Sequence, residues 1–128
     1  MGYNIEQIAV RRQRSCWLLS GLFIALEGPD GSGKSTIIQL IGDYLKDKGI
    51  RYIITREPGG TLIGEQVRDI ILDNKNTDMS GETEALLYAA SRSQHIHEKI
   101  LPALRDGKLV LCDRFVLSSL AYQGVGRD

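Results

Sequence analysis

The segment Gly28-Pro-Asp-Gly-Ser-Gly-Lys-Ser35 matches the pattern G-x-x-x-x-G-K-[S/T] and directly follows an apolar run, Leu22-Phe-Ile-Ala-Leu26. Glycines let such a backbone curl so that successive N–H groups point at phosphate oxygens, and the helix that follows adds the positive end of its dipole. Lys34 is placed to reach the β- and γ-phosphates of a nucleotide, and the hydroxyl of Ser35 to enter the shell of a Mg²⁺ ion. The segment therefore predicts a phosphate-binding loop; a glycine-rich turn that binds nothing is the alternative.

The rest of the chain alternates between strand-like and helix-like patterns. We predict strands over residues 22–27, 50–55 and 108–112. We predict helices over residues 34–48 and 61–72, from residue 80 or 81 past residue 97, and from about residue 115, with Pro102 bending or restarting the third. This order is typical of an α/β fold with a parallel sheet, and the apolar first strand suits burial on both faces. We expect a P-loop NTPase-type parallel sheet with flanking helices that stops after the fourth helix.

The composition is that of an ordinary globular domain. The 128 residues include 16 Lys and Arg against 16 Asp and Glu, so no basic excess indicates a nucleic acid as the main partner. Cys16 and Cys112 do not make a disulfide framework, and Cys112 is predicted to be a buried free thiol in a reducing, cytoplasmic compartment. His95 and His97 lie two residues apart on a predicted helix, so they do not face each other and are predicted to be structural or exposed.

Residues 1–20 stand outside this pattern. Basic residues at 11–14 precede the apolar run from residue 16, as in a targeting segment, but the second half of that run is needed as the first strand. The run is also too short to span a bilayer. We predict that residues 1–20 are a poorly ordered extension and that residues 21–128 form the domain; a targeting role is the alternative.

Charged side chains follow the predicted strands. Asp113 ends strand three, where a carboxylate is expected to be the second protein ligand of Mg²⁺ in a phosphate-loop protein. A helix cap is the alternative. Arg56 and Arg114 follow strands two and three, and ligands of open α/β sheets bind at those carboxyl ends. Arg68 and Arg92 complete a candidate cluster for phosphate and base, although any one of these arginines alone is more often a solvated surface residue.

Two predicted helices carry further candidates. Tyr88 and Arg92 share a helix face, where a ring and a guanidinium could stack on a flat base and bind its edge. A packed tyrosine beside a solvated arginine is the alternative. Ser119, Tyr122 and Gln123 likewise share a face of the fourth predicted helix.

These motifs together resemble the thymidylate kinases, P-loop enzymes that pass the γ-phosphoryl of ATP to dTMP. The matching pieces are Glu27–Thr36, Thr55-Arg-Glu-Pro-Gly-Gly-Thr61, Leu86–Gln94, Asp113-Arg-Phe115 and Ser118–Gly124. The resemblance implies a sheet with strand order 2-3-1-4-5 and a homodimer in the cytoplasm. It implies ATP, dTMP and Mg²⁺ as ligands, and neither a nucleic acid nor a membrane as a partner.

The resemblance also implies roles for individual residues. The ATP phosphates would be bound by Gly28, Asp30, Gly31, Ser32, Gly33, Lys34, Ser35 and Thr36. Acceptor dTMP would be bound by Asp30, Arg56, Glu57, Arg68, Tyr88, Arg92, Arg114, Ser119, Tyr122 and Gln123. Ser35 and Asp113 would hold Mg²⁺, and the catalytic set would be Lys34, Asp113 and Arg114.

Gly31 stands where one branch of the family has a catalytic arginine in the phosphate loop. Glycine at position 31 resembles the mainly bacterial branch, whose catalytic arginine lies in a later lid rather than in the phosphate loop. The lid, the adenine loop and the last two strands are not found within residues 1–128, so weak or absent activity is expected. Another nucleoside-monophosphate kinase and a non-catalytic nucleotide-binding fragment are the alternatives.

Overall fold

The computed structural model describes residues 20–115, which form a parallel sheet of three strands with helices on both faces. The strands are β1 (Leu22–Leu26), β2 (Tyr52–Arg56) and β3 (Leu109–Asp113). The helices are α1 (Lys34–Asp47), α2 (Leu62–Leu72), α3 (Gly81–His95) and α4 (Leu101–Arg105). The predicted α/β fold is confirmed. The extension at residues 1–19 and the helix predicted from about residue 115 onwards lie outside the described residues.

The strand order is β1-β3-β2, so β3 is the central strand of the described sheet. This order agrees with the 2-3-1 part of the order that the resemblance implies. The prediction that β1 is buried on both faces is wrong, because its residues are only partly buried and Leu22 is 58% exposed. The strand with both faces buried is β3, in which Val110, Leu111 and Cys112 are completely buried.

Each face of the sheet packs on a different set of helices. Val110 pairs in register with Ile53, and the face of the sheet that carries these two side chains packs against Ile100 and Leu104. On the opposite face α1 lies so close to β2 that a side chain at Gly42 would meet Tyr52 and Ile54 within 3.3 Å. Glycine at this position therefore lets the first helix pack directly on the sheet.

Local signals explain where the helices begin and end. The side chains of Thr61 and Ser80 accept hydrogen bonds from the Gly64 and Thr83 amides, which caps α2 and α3 at their first turns. Gly49 ends α1 in a left-handed conformation (φ 68°) that other residues adopt only at a cost. Apart from the carboxyl end of α3, which was predicted to lie beyond His97, the predicted elements within the described residues lie within two residues of their predicted boundaries.

Helix α3 does not continue unchanged into α4. Residues Ile96–Ile100 form a π-helical segment, and the Leu101 amide donates to the Ile96 carbonyl five residues earlier. Pro102 follows directly; it lacks an N–H group and its ring crowds the preceding turn, which favours this wider hydrogen-bond pattern. The predicted bend or restart at Pro102 is confirmed. Within residues 20–115 no helix has the length and apolar character needed to cross a membrane.

Candidate active site at the carboxyl edge of the sheet

The register of the sheet brings three strand ends together. Leu26 of β1 and Arg56 of β2 both pair with Asp113 of β3, in one row across the carboxyl edge. The loop that follows each strand therefore starts from the same place. This is the position at which open α/β sheets bind ligands.

The phosphate loop lies directly after β1. Gly28, Gly31 and Gly33 all have positive φ (151°, 77° and 86°), as the tight curl of such a loop requires. Lys34 is buried and its ammonium donates to the carbonyls of Gly28 (2.9 Å) and Pro29 (2.7 Å). The lysine thus folds back across the loop, with its charge held where the phosphates of a nucleotide would lie.

Apart from the buried Lys34, the first turn of α1 is open to solvent. No side chain caps the helix at Gly33. The amides of this turn point to the same side as the loop, so an anion would satisfy them. The loop and first turn place their remaining predicted phosphate contacts on the surface, namely Asp30, Gly31, Ser32, Gly33, Ser35 and Thr36.

A cavity of about 420 Å³ lies beside the loop, and Ser35, Arg56 and Asp113 all line it. The Oδ1 atom of Asp113 is buried and has no hydrogen-bond partner among the described residues. A buried carboxylate oxygen without a partner is costly, so a cation at this point would compensate for it. Within residues 20–115 no group of three or more His, Cys, Asp or Glu residues could hold a metal by itself. Mg²⁺ bound to a nucleotide needs only one or two protein ligands, and Ser35 and Asp113 fit that role.

Arg114 reaches from β3 to the phosphate loop. Its backbone is left-handed (φ 67°), its amide donates to the Leu26 carbonyl (2.9 Å), and its carbonyl accepts from the Cys112 thiol (3.0 Å). Its guanidinium is bonded to the carboxylate of Asp30. The next amide, that of Phe115, donates to Glu27 Oε1 (2.8 Å). These contacts fix the unusual backbone and bring two predicted dTMP contacts, Asp30 and Arg114, side by side.

The loop after β2 holds two further arginines. Arg56 donates to Glu65 Oε2 (2.9 Å), and Arg68 donates to the Pro58 carbonyl (3.0 Å). The Gly60 amide donates to Glu65 Oε1 (2.8 Å), and this bond, followed by the Arg56 guanidinium, lowers the pKa of the Glu65 carboxyl. Glu65 therefore stays ionised and offsets the charge of Arg56.

Glu57 joins this loop to α3. Its Oε2 atom accepts from Arg92 Nε (2.7 Å), and its Oε1 atom lies 3.2 Å from His95 Nδ1. The Arg92 guanidinium also lies over the Phe115 ring, 5.2 Å from its centroid. Tyr88, one turn earlier on α3, is half-buried. The structure therefore brings Glu57, from the loop after β2, against Arg92 on the helix that also carries Tyr88.

The sequence analysis missed several residues that the site depends on. Glu27, Thr55 and Glu65 each hold a predicted site residue or its neighbour in place. Glu27 and Thr55 begin two of the matching segments but were assigned no role, and Glu65 lies outside those segments. His95 is completely buried and His97 is exposed, which agrees with the prediction that these histidines are structural or exposed. Cys112 is confirmed as a buried free thiol; burial, together with nearby acidic groups, raises its pKa to about 12. The predicted contacts Ser119, Tyr122 and Gln123 lie outside the described residues.

Comparison with known proteins identifies relatives along most of the chain. A family model described as thymidylate kinase matches residues 26–128. The thymidylate kinase of Finegoldia magna is 64% identical over 106 residues, which cover 83% of this chain and 52% of that protein. That of Clostridium novyi is 59% identical over 107 residues, covering 84% and 52% respectively. The crystal structure of thymidylate kinase from Ehrlichia chaffeensis superimposes with a TM-score of 0.76 at 42% identity, covering 84% of this chain and 60% of that one. The chain spans about half the length of these curated relatives. Because the family model matches residues 26–128, the chain belongs to the thymidylate kinase family.

Proposed function

We propose that this chain supplies the phosphate-binding and acceptor-binding part of a kinase that transfers the γ-phosphoryl group of ATP to dTMP. The observation that carries the proposal is the cavity at the carboxyl edge of the sheet, which Ser35, Arg56 and Asp113 line together. The relatives described as thymidylate kinases support dTMP as the acceptor.

The phosphate loop is the proposed seat of ATP. In the nucleotide complex the Lys34 ammonium would exchange its two carbonyl partners for phosphate oxygens. Ser35 and Asp113 would hold Mg²⁺, which when bound neutralises charge on the β- and γ-phosphates. Lys34 and the amides at the start of α1 would then orient the triphosphate with its γ-phosphoryl towards the cavity.

The acceptor is proposed to lie on the other side of this cavity. Arg56, Arg68 and Arg114 would bind the phosphate of dTMP. Tyr88 and Arg92 would meet the base, with Ser119, Tyr122 and Gln123 as further contacts. A nucleoside monophosphate has a second pKa near 6, so its oxygen is mostly ionised at neutral pH and no general base is needed. Positioning and charge neutralisation can then carry the transfer.

Titration calorimetry of the chain with Mg²⁺–ATP tests the nucleotide seat. Removing a charged hydrogen-bonding group costs about 1.5–3 kcal/mol, so Lys34→Ala is expected to weaken binding by about 10- to 100-fold. Lys46→Ala, which removes an exposed lysine from the far end of the same helix, is the matched control. Unchanged ATP affinity in a folded Lys34→Ala variant would refute the proposal.

The identity of the acceptor requires its own comparison. We expect the chain to bind dTMP more tightly than dAMP, dCMP or dGMP, because Tyr88 and Arg92 meet the base. Equal affinities would favour another nucleoside-monophosphate kinase.

We propose that residues 1–128 alone turn over dTMP slowly, because they match about half of each curated relative. A chimera with the remaining half of the Finegoldia magna protein is expected to transfer phosphate in a coupled ADP assay. Binding of both nucleotides without transfer by the folded chimera would favour a non-catalytic nucleotide-binding protein. Turnover by residues 1–128 at the rate of the intact relative would refute the slow-turnover proposal.

Two further properties are proposed for the complete protein. Large exposed apolar side chains lie on α2 and α3, among them Leu62 (77% exposed) and Leu86 (71% exposed), and a homodimer would cover them. Sedimentation analysis tests this pairing, since Leu86→Glu is expected to yield monomers. The buried free thiol Cys112 suits a reducing compartment, and we place the reaction in the cytoplasm.

A further inference from the structure

His95 is a completely buried titratable residue to which the proposed reaction assigns no role. Its Nδ1 atom lies 3.2 Å from Glu57 Oε1, and its Nε2 atom lies 2.6 Å from Thr55 Oγ1. Both ring nitrogens are therefore paired. Because a carboxylate only accepts, Nδ1 carries the hydrogen, and in the neutral ring Nε2 accepts from the threonine hydroxyl.

The surroundings of the imidazole fix its orientation. A side chain at Gly60 would lie 2.8 Å from His95 Cδ2 and 2.8 Å from Thr55 Oγ1, so the glycine packs directly on the ring. Ser91, one turn earlier on α3, accepts a hydrogen bond from the Gly59 amide (3.1 Å). The end of β2, the loop after it and α3 thus converge on one ring.

The contact to Glu57 extends to Arg92. Glu57 is almost completely buried (4% exposed) and uses one oxygen for His95 and the other for Arg92. An arginine bonded through Nε has the plane of its guanidinium fixed, which decides where its remaining N–H groups point. The His95 imidazole therefore fixes the Glu57 carboxylate, and this carboxylate in turn fixes the Arg92 guanidinium.

We propose that His95 is a positioning residue for acceptor recognition, acting through Glu57 on the orientation of Arg92. This inference rests on the proposed function, which assigns Arg92 to the base of dTMP. The contacts of His95 lead to Thr55, Glu57 and Gly60, on the proposed acceptor side of the site, so it should affect dTMP binding and leave ATP binding unchanged. A residue that only filled the core would have no such selectivity.

Two amide substitutions test the hydrogen bonds of the two ring nitrogens one at a time. The amide of His95→Asn lies near the place of Nδ1 and can still donate to Glu57. The longer side chain of His95→Gln reaches towards Thr55 and gives up the bond to Glu57. His97→Gln, on the exposed residue two positions later, is the matched control.

The chain and its variants are titrated calorimetrically with dTMP and, separately, with Mg²⁺–ATP. His95→Gln is expected to weaken dTMP binding at least about tenfold, because Glu57, and with it the Arg92 guanidinium, loses its fixed orientation. His95→Asn is expected to stay within about threefold of the unmodified chain, and ATP binding within about twofold in every variant. Should His95→Gln fail to fold by circular dichroism, His95→Leu, which also lacks the donor, takes its place.

A second comparison tests whether the effect passes through Arg92. In an Arg92→Ala background, adding His95→Gln is expected to change dTMP affinity by less than about twofold, because the guanidinium that it positions is gone. A tenfold loss that persists in this background would overturn the inference. So would equal losses of dTMP and ATP affinity, or unchanged dTMP affinity in His95→Gln. If the unmodified chain binds ATP and no dTMP, the proposed function fails and the inference with it.

Discussion

Gly60→Ala tests the packing that holds the site together. Gly60 has a φ of 83°, and a methyl group at this position would lie 2.8 Å from both His95 Cδ2 and Thr55 Oγ1. These neighbours are buried and hydrogen-bonded to each other, so they cannot move aside without losing their bond. The substitution therefore adds a steric clash to the cost of the left-handed backbone.

A second glycine provides the control. Gly49 has a similar φ of 68°, and a methyl group there would have no atom within 4 Å. Gly49→Ala should lower the free energy of unfolding only by the cost of the left-handed conformation, about 1–2 kcal/mol. Gly60→Ala should lower it by the same amount and, in addition, by the cost of overpacking, about 1–3 kcal/mol. The difference between the two variants measures the contact between the loop and the imidazole.

Urea unfolding followed by far-ultraviolet circular dichroism measures this difference. With a denaturant slope of about 2 kcal/mol per molar urea, an extra 2 kcal/mol lowers the midpoint by about 1 M relative to Gly49→Ala. Equal midpoints for the two variants would refute the described packing of Gly60 on His95.

Three further outcomes are expected. Leu111→Ala, in the fully buried central strand, should lower the free energy of unfolding by about 2–5 kcal/mol, whereas Leu40→Ala, at a residue 63% exposed, should change it by less than about 0.5 kcal/mol in the same unfolding assay. In a Cys16→Ser chain without nucleotide, Cys112 should react with Ellman's reagent at pH 8 only after unfolding, because burial raises its pKa to about 12; fast labelling of the native protein would contradict this. The pKa of Glu65 is lowered from 4.5, so the contribution of this carboxylate to stability is complete above pH 4.5 and is lost as the pH falls through the lower pKa of the folded state. The difference in unfolding midpoint between the unmodified chain and Glu65→Gln should therefore disappear in acid. A difference that grows as the pH falls would contradict this prediction.

The residues that meet at the carboxyl edge could be predicted from the sequence. A strand-like run leads into the phosphate loop, another into Arg56 and a third into Asp113. Because the carboxyl ends of parallel strands lie at one edge of a sheet, these three runs are enough to predict that the residues meet there. The exposure of β1 was not predictable from its own apolar residues. Burial of a strand depends on its neighbours in the sheet, and the apolar pattern is the same for a central and an edge strand.

The internal partners of the site could not be predicted in the same way. His95 and His97 have the same chemistry and lie on the same helical stretch, yet one is completely buried and the other exposed. The difference arises from the turn at Gly60, which brings Thr55 and Glu57 against α3. Such contacts join residues about 40 positions apart, and no periodicity within a single element encodes them.

The internal partners also divide the cations of the site into two kinds. Lys34 is bonded to carbonyls of its own loop, Arg56 to a carboxylate 39% exposed, and Arg114 to one 96% exposed. Exposed ion pairs contribute at most about 1 kcal/mol, so a phosphate can displace the carboxylates from Arg56 and Arg114 at little cost.

Arg92 is different, because its partner Glu57 is only 4% exposed. Breaking a buried pair costs about 3–5 kcal/mol, so this arginine is expected to keep its carboxylate when ligands bind. An arginine whose charge is already offset is poorly suited to a phosphate and well suited to the neutral edge of a base. The burial of its partner, rather than the arginine itself, therefore supports the proposal that Arg92 meets the base while the other cations of the cluster bind phosphate.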